Sequence, residues 1–187
     1  MTMPRLVLIK YAALILVLIM LDQWSKWFII EEYFKRGENT LGLFEWLFTL
    51  TQPRLEFIRV EILSFFNLVM VWNEGVSFGM FADSHDAMPI VLSMFALILS
   101  SVFAVWLTRS TRITTSLPIT FIIAGALSNV WDRARFGAVA DFFDFHFMGW
   151  HYPSFNIADS LIVLGVIILA IDTLFLEPKA DKGTHSS

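Results

Sequence analysis

The chain has 187 residues, 57% of them apolar and 16% charged, with a net charge of −4 and a mean hydropathy of +0.67. That much apolar sequence exceeds what a soluble domain of this size can bury, and it excludes disorder, which needs low hydrophobicity and high charge. The absence of cysteine excludes disulfides, thiol nucleophiles, Cys-ligated zinc and iron–sulfur clusters within the chain, and the acidic balance gives no reason to expect nucleic acid.

The composition predicts a membrane protein, organised as a single membrane domain over 1–187. A hydrocarbon core about 30 Å thick needs roughly 20 apolar helical residues to cross it. The first such segment is 6–30. Arg5 and Lys10 precede or open it, as in a signal peptide, but no small-residue cleavage site follows Leu21 and the chain runs on into polar sequence, so a span is expected. Segment 31–87 comes next and is too long for a bare turn. Within it, 41–50 is rich in Phe, Trp and Leu and short for a span, which predicts a piece lying in the interface plane. Residues 54–63 roughly alternate, with a slip at Ile58, and 66–72 is apolar and partly β-branched, so a small sheet is expected there.

The second and third spans are 88–107 and 115–131, with Pro89 and Pro118 near their starts, where a missing N–H costs little. Run 142–152 reads as an aromatic interface belt. The fourth span is 155–175, and the tail after Pro178 is polar. The fold class is thus an α-helical membrane protein of four transmembrane helices, with a small extracytoplasmic β/amphipathic subdomain at 31–87. Arg5, Lys10, Arg109, Arg112, Lys179 and Lys182 put both termini on the cytoplasmic side by the positive-inside rule.

Ionisable groups in spans are costly and point to function. With this orientation Asp22 lies about 24 Å across the membrane. Asn129, Asp132 and Arg133 end the third span on the outer side, and Asn156 and Asp159 begin the fourth there. The loops with Asn73, Gly75 and Asp141 are also outside. Acids and amides from several stretches therefore gather near the outer leaflet, whereas a transporter more often places its site at the midplane. Asn129 and Asp132 are spaced i, i+3, as are Asn156 and Asp159, so each pair would share a helix face.

Five motifs occur in order: Asp22-Gln23-Trp24-Ser25-Lys26, Asn73-Glu74-Gly75-Val76-Ser77-Phe78-Gly79, Asn129-Val130-Trp131-Asp132-Arg133, Ala140-Asp141-Phe142 and Phe155-Asn156-Ile157-Ala158-Asp159-Ser160. Together they resemble the motif set of bacterial lipoprotein signal peptidase (signal peptidase II), a family of intramembrane aspartic peptidases. The resemblance implies that Asp141 and Asp159 are the catalytic pair. It implies that Asn73 and Arg133 contact substrate, with Gly75, Asn129, Asp132 and Asn156 binding or supporting. It implies hydrolysis of the bond before a diacylglyceryl-modified cysteine of a prolipoprotein, in the bacterial inner membrane. The protein is expected to be a monomer whose partners are signal peptides of such precursors and membrane lipids, with no cofactor and no metal. Three departures stand out: a longer stretch between Lys26 and Asn73, Ala124 and Ser128 where glycines are usual, and Val139-Ala140 in place of two valines.

Plainer roles compete at several positions. Asp22 and Lys26 are i, i+4 and predict a structural ion pair, with Lys26 snorkelling outward. Ser25 beside Lys26 does not make a Ser–Lys protease, because adjacent helical residues do not face each other. Asp132 reads as a structural or orienting acid. Asp144 competes with Asp141 on composition, and only the family motif separates them. Asp172 is expected at a solvated helix end. His85 with Asp83 and Asp86 reads as a loop cluster, and His146 and His151 as part of the aromatic interface. A non-enzymatic transport or assembly subunit would account for the spans and ion pairs, but not for polar groups gathered at one depth.

Overall fold

The computed structural model describes residues 3–37, 39–50, 53–75 and 87–176. Val76-Ser77-Phe78-Gly79 of the second motif, the Asp83, His85 and Asp86 cluster, and Lys179 and Lys182 lie outside the described residues. Four helices are long and apolar enough to cross a membrane: Arg5–Phe34, Met88–Arg109, Ile113–Phe136 and Ile157–Phe175. The first consists of α1 (Arg5–Trp27), whose last turns widen into a π-helical stretch, Phe28–Phe34. A short helix α2 (Leu43–Phe48) precedes strands β1 (Ile58–Leu63) and β2 (Phe66–Asn73). Then follow α3 (Met88–Arg109), α4 (Ile113–Phe136), β3 (Val139–Phe147), β4 (Trp150–His151) and α5 (Ile157–Ile171), the last continued by a π-helical turn at Asp172–Leu176.

Apolar side chains are exposed along α1, α3 and α5, among them Leu16, Val17, Phe95, Ile98, Val163 and Val166. A helix apolar all round is at home in lipid, so these faces are solvated by the bilayer. Helix α4 is the central member and carries more buried residues than any other helix. Its contact with α5 is close. A Cβ on Gly165 would stand 2.7 Å from the Pro118 carbonyl oxygen, and one on Gly125 would strike the Ala158 carbonyl. Gly125 and Gly165 carry this approach, while Ser128 turns to α1, where it bonds Gln23 and Asp22.

Polar pairs at the helix ends set the packing. At one end the Met3 amide donates to the Thr108 carbonyl at 2.8 Å, and Asp172 accepts from Arg112 at 2.8 Å and Thr115 at 2.7 Å. Asp172 is therefore a buried, partnered helix end and not a solvated one. At the other end the C-terminal turns of α1 and α4 meet the N-terminus of α5.

The strands form one sheet in the order β1-β2-β3-β4, antiparallel throughout. Strand β3 corrects the reading of 142–152 as an interface belt. Phe142, Phe143, Phe145 and Phe147 put aromatics on both faces of the strand, which hides the alternation by which a strand is recognised. The sheet is thus not built from 31–87 alone. Helix α2 rests on the same assembly: Trp46, fully buried, packs with Ile30, Met70, Phe136 and Ala140.

Candidate active site

Asp141 lies on β3 and Asp159 in the first turn of α5, and the fold brings them together through shared amides. Asn156 is the N-cap of α5. Its Oδ1 accepts from the Asp159 amide at 2.9 Å while Asp159 Oδ2 accepts from the Asn156 amide at 3.3 Å, a reciprocal capping box. The i, i+3 spacing therefore expresses a cap and not a shared helix face. The remaining end of Asn156, Nδ2, donates to Asp141 Oδ1 at 2.8 Å. Asn129 of α4 donates to Asp159 Oδ1 at 2.7 Å. Asn73 of β2 donates to Asp141 Oδ2 at 3.0 Å. Each of the four carboxylate oxygens takes one of these donors, and each has a lone pair left for a proton or water.

Local sequence explains each placement. Asn73 pairs opposite Val139, so Asp141, two residues further along β3, is its diagonal neighbour on the same face. Asn73 Oδ1 also accepts from the Gly75 amide at 2.8 Å. Gly75 has φ +85°, which favours glycine, and a Cβ there would run into Leu92. Asp144 is three residues from Asp141 on one strand and so points to the opposite face. There it accepts from Asn67 at 2.7 Å and meets His151 Nδ1 at 2.8 Å, while the rings of His146 and His151 stack.

Burial, and after it the charge of Asp159, pushes the Asp141 carboxyl up to about 7, against the opposing hydrogen bonds of Asn73 and Asn156 and the charge of Lys26. Asp144 is held below the usual carboxylate range: its desolvation is outweighed by the hydrogen bonds from Asn67 and His151. The two aspartates of β3 thus differ in electrostatic state.

Beneath the pair lies a buried ionic cluster. Lys26 Nζ sits 2.7 Å from Asp22 and 2.6 Å from Asp132, and donates to Asn129 Oδ1 at 3.3 Å. Lys26 does not snorkel: it is 0% exposed, because carboxylates on α1 and α4 hold its head inward. Asp22 accepts in addition from Ser128 at 2.6 Å and from the Ala158 amide at 2.8 Å, an N–H of α5's first turn that has no partner within its helix. Asp132 accepts from Gln23 at 2.7 Å and, at 3.4 Å, from the Ala140 amide next to Asp141. Arg133 faces a cavity of about 590 Å³ that Glu74, Ile90, Met94, Val130 and Ala134 also line. Its guanidinium lies in the field of Asp159, Asp132 and Asp141. A second, largely apolar cavity of about 440 Å³ runs from Asp159 along Ser160, Val163 and Ile167 of α5.

Arg135 belongs to this network although no motif contains it, and Gln23, inside the first motif, takes no role from the resemblance. A glutamine or arginine inside an apolar helix is itself a signal, and Gln23 and Arg135 carried it. Among the described residues no group of three or more His, Cys, Asp and Glu is arranged to hold a metal ion.

The family model of signal peptidase II matches residues 14–175. The chain belongs to this family. As a signal peptidase II family member it is a peptidase, and its four candidate spans make it a multi-pass membrane protein. It is similar to the lipoprotein signal peptidase of Alteromonas mediterranea, with 35% identity over 81% of this chain and 73% of that protein. It is also similar to those of Acinetobacter baumannii (33%, covering 90% and 85%) and Francisella tularensis subsp. novicida (36%, covering 70% and 84%). A bacterial membrane enzyme solved at 1.9 Å shares the fold, with a TM-score of 0.63 and 23% identity over 89% of this chain and 93% of that one.

Proposed function

We propose that this signal peptidase II family member is an intramembrane aspartic endopeptidase that removes the signal peptide from prolipoproteins, cutting before the diacylglyceryl-modified cysteine. The observation that carries the reading is the pair Asp141 and Asp159, held by Asn73, Asn129 and Asn156 with Asp141 raised to about 7. Neighbouring carboxylates cannot both ionise readily, so the pair keeps one proton. The ionised carboxylate takes a proton from water as the water oxygen bonds to the scissile carbonyl carbon. The protonated carboxyl gives its proton to the carbonyl oxygen. The resulting gem-diol collapses, the C–N bond breaks, and the amine leaves with a proton from the pair. The apparent pKa values belong to the pair.

Arg133 and Asn73 supply donors for the substrate backbone at the mouth of the site, and the apolar wall of α5 beside Asp159 suits a lipid chain or signal-peptide core. A buried methylene contributes about 0.8 kcal/mol, so acyl chains can fix the scissile bond near attack geometry. The basic residues Arg5, Lys10, Arg109 and Arg112 favour cytoplasmic termini and a site near the outer leaflet of the inner membrane. The deciding experiment compares cleavage, by purified protein in matched micelles, of a prolipoprotein peptide with a diacylglyceryl cysteine and of the same peptide with a free cysteine. Preferential cleavage of the lipidated peptide is expected. No cleavage of either would overturn the enzymatic reading, and equal rates would overturn the lipid specificity.

A further inference from the structure

Arg135 sits in the last turn of α4 and is 4% exposed. Its guanidinium lies over the rings of Trp46, at 4.0 Å, and Phe136, at 4.6 Å. It donates to the carbonyls of Trp46 and Thr49, which close the C-terminal end of α2, where carbonyls lack partners within the helix. Its Nη1 donates to Oε1 of Gln23 at 3.2 Å. One side chain therefore ties α2 to α4 and α1.

The direction of each bond matters. Arginine only donates, whereas a glutamine amide has an acceptor end and a donor end. With Oε1 on Arg135, Gln23 must turn Nε2 to Ser128, at 3.1 Å, and to Asp132 Oδ1, at 2.7 Å. Asp132 then offers Oδ2 to Lys26 at 2.6 Å. Lys26, which has three protons and no acceptor, meets Asp22, Asp132 and Asn129 Oδ1. An Asn129 whose oxygen faces Lys26 must present its amino group to Asp159.

We propose that Arg135 and Gln23 are positioning residues for the acid pair: by docking α2 and orienting the Gln23 amide, they fix Asp132, Lys26 and Asn129 in the arrangement that presents Asp159. The inference rests on the peptidase reading of Asp141 and Asp159. It gives the long stretch between Lys26 and Asn73, which contains α2, a role in the reaction.

The test is a double-mutant cycle on the intact protein with the lipidated peptide: wild type, Gln23→Leu, Arg135→Met and the double variant, with Asp159→Asn as the inactive control. Each single variant should lower kcat by about tenfold with little change in KM, and the double should be no slower than the slower single, because both break one chain of bonds. Gln23→Leu leaves every contact of Arg135 with α2 and the two rings intact, so it isolates the relay from simple fastening of α2. Unchanged kcat in Gln23→Leu, or effects that multiply in the double, would overturn the inference while the peptidase reading stands. An inactive wild type would remove both. Should Arg135→Met not fold, Gln23→Leu, which cannot donate to Asp132, decides the matter on the same kcat and KM readout.

Discussion

Nδ2 of Asn129 donates to Oδ1 of Asp159 at 2.7 Å, across 30 residues of chain and between two helices. The other end of that amide, Oδ1, accepts from Lys26 and Asn156, each at 3.3 Å. One side chain thus joins the buried ionic cluster to the acid pair, and its orientation is determined from both sides.

Replacing Asn129 with Ala should slow cleavage sharply. A hydrogen bond to a charged acceptor contributes about 1.5–3 kcal/mol, or roughly ten- to a hundredfold in kcat when it is needed in the transition state. Asn129→Asp should be slower still, since it adds a carboxylate against Asp159. Steady-state kinetics on the lipidated peptide would measure both, and an Asn129→Ala enzyme of normal kcat would remove Asn129 from the site.

Asp141→Asn and Asp159→Asn should each cost at least about 10²–10⁴ in rate, the usual contribution of a positioned acid or base. Asp144→Asn should be far milder, because that carboxylate lies on the other face of β3 with Asn67 and His151. The opposite ranking would mean that the wrong aspartate of the strand has been assigned.

The pH dependence follows from Asp141. Its carboxyl is raised from 3.8 to about 7, so the folded protein favours its protonated form. The stability it contributes is whole below 3.8 and is lost as the pH rises towards 7. The shared proton leaves over the same range, so kcat/KM should fall on the alkaline side with a midpoint near 7. In Asp159→Asn the charge that helps to raise Asp141 is gone, and its titration should move down. A pH–rate profile and carboxyl carbon NMR of the two proteins would check this, and an Asp141 titration unmoved by the Asp159 change would break the coupling.

Lys26→Met should destabilise the protein by about 3–5 kcal/mol, as expected when one partner of a buried ion cluster is removed. It strands Asp22 and Asp132, each fully buried. Adding Asp22→Asn and Asp132→Asn to Lys26→Met should restore part of the loss, because no bare charge then remains. Thermal unfolding in detergent would measure both, and a Lys26→Met protein as stable as wild type would contradict the account.

Gly165→Ala should loosen the contact between α4 and α5 at a cost of about 1–3 kcal/mol, the range for overpacking a tight core. The new methyl would meet the Pro118 carbonyl oxygen at 2.7 Å and the Ile122 side chain at 2.8 Å. An unchanged unfolding temperature would mean that the helices can move apart freely.

The amino-acid sequence by itself determined the membrane class, the four long helices and the order of the motifs, because crossing lipid demands long apolar runs that local composition displays directly. It also brings Asp159, Asn129 and Asn156 into view, since polar groups inside apolar helices stand out, whereas only the resemblance to the family motif separates Asp141 from Asp144. Only the tertiary structure decided which partner each polar group takes. Local sequence points Lys26 outward, yet it is turned inward, because Asp132 comes from a helix more than a hundred residues further along the chain. Asp172, by its place in the sequence a solvated helix end, is held by Arg112 and Thr115 for the same kind of reason. Strand β3 was masked by aromatics on both faces, and its partner β2 lies some 70 residues earlier in the chain. Hydrogen bonds between distant segments depend on register and packing, which no local spacing encodes. That is why candidate residues stand out one by one in the sequence, while the network that orients them, from Trp46 through Arg135 and Gln23 to Asp159, emerges only once the chain is folded.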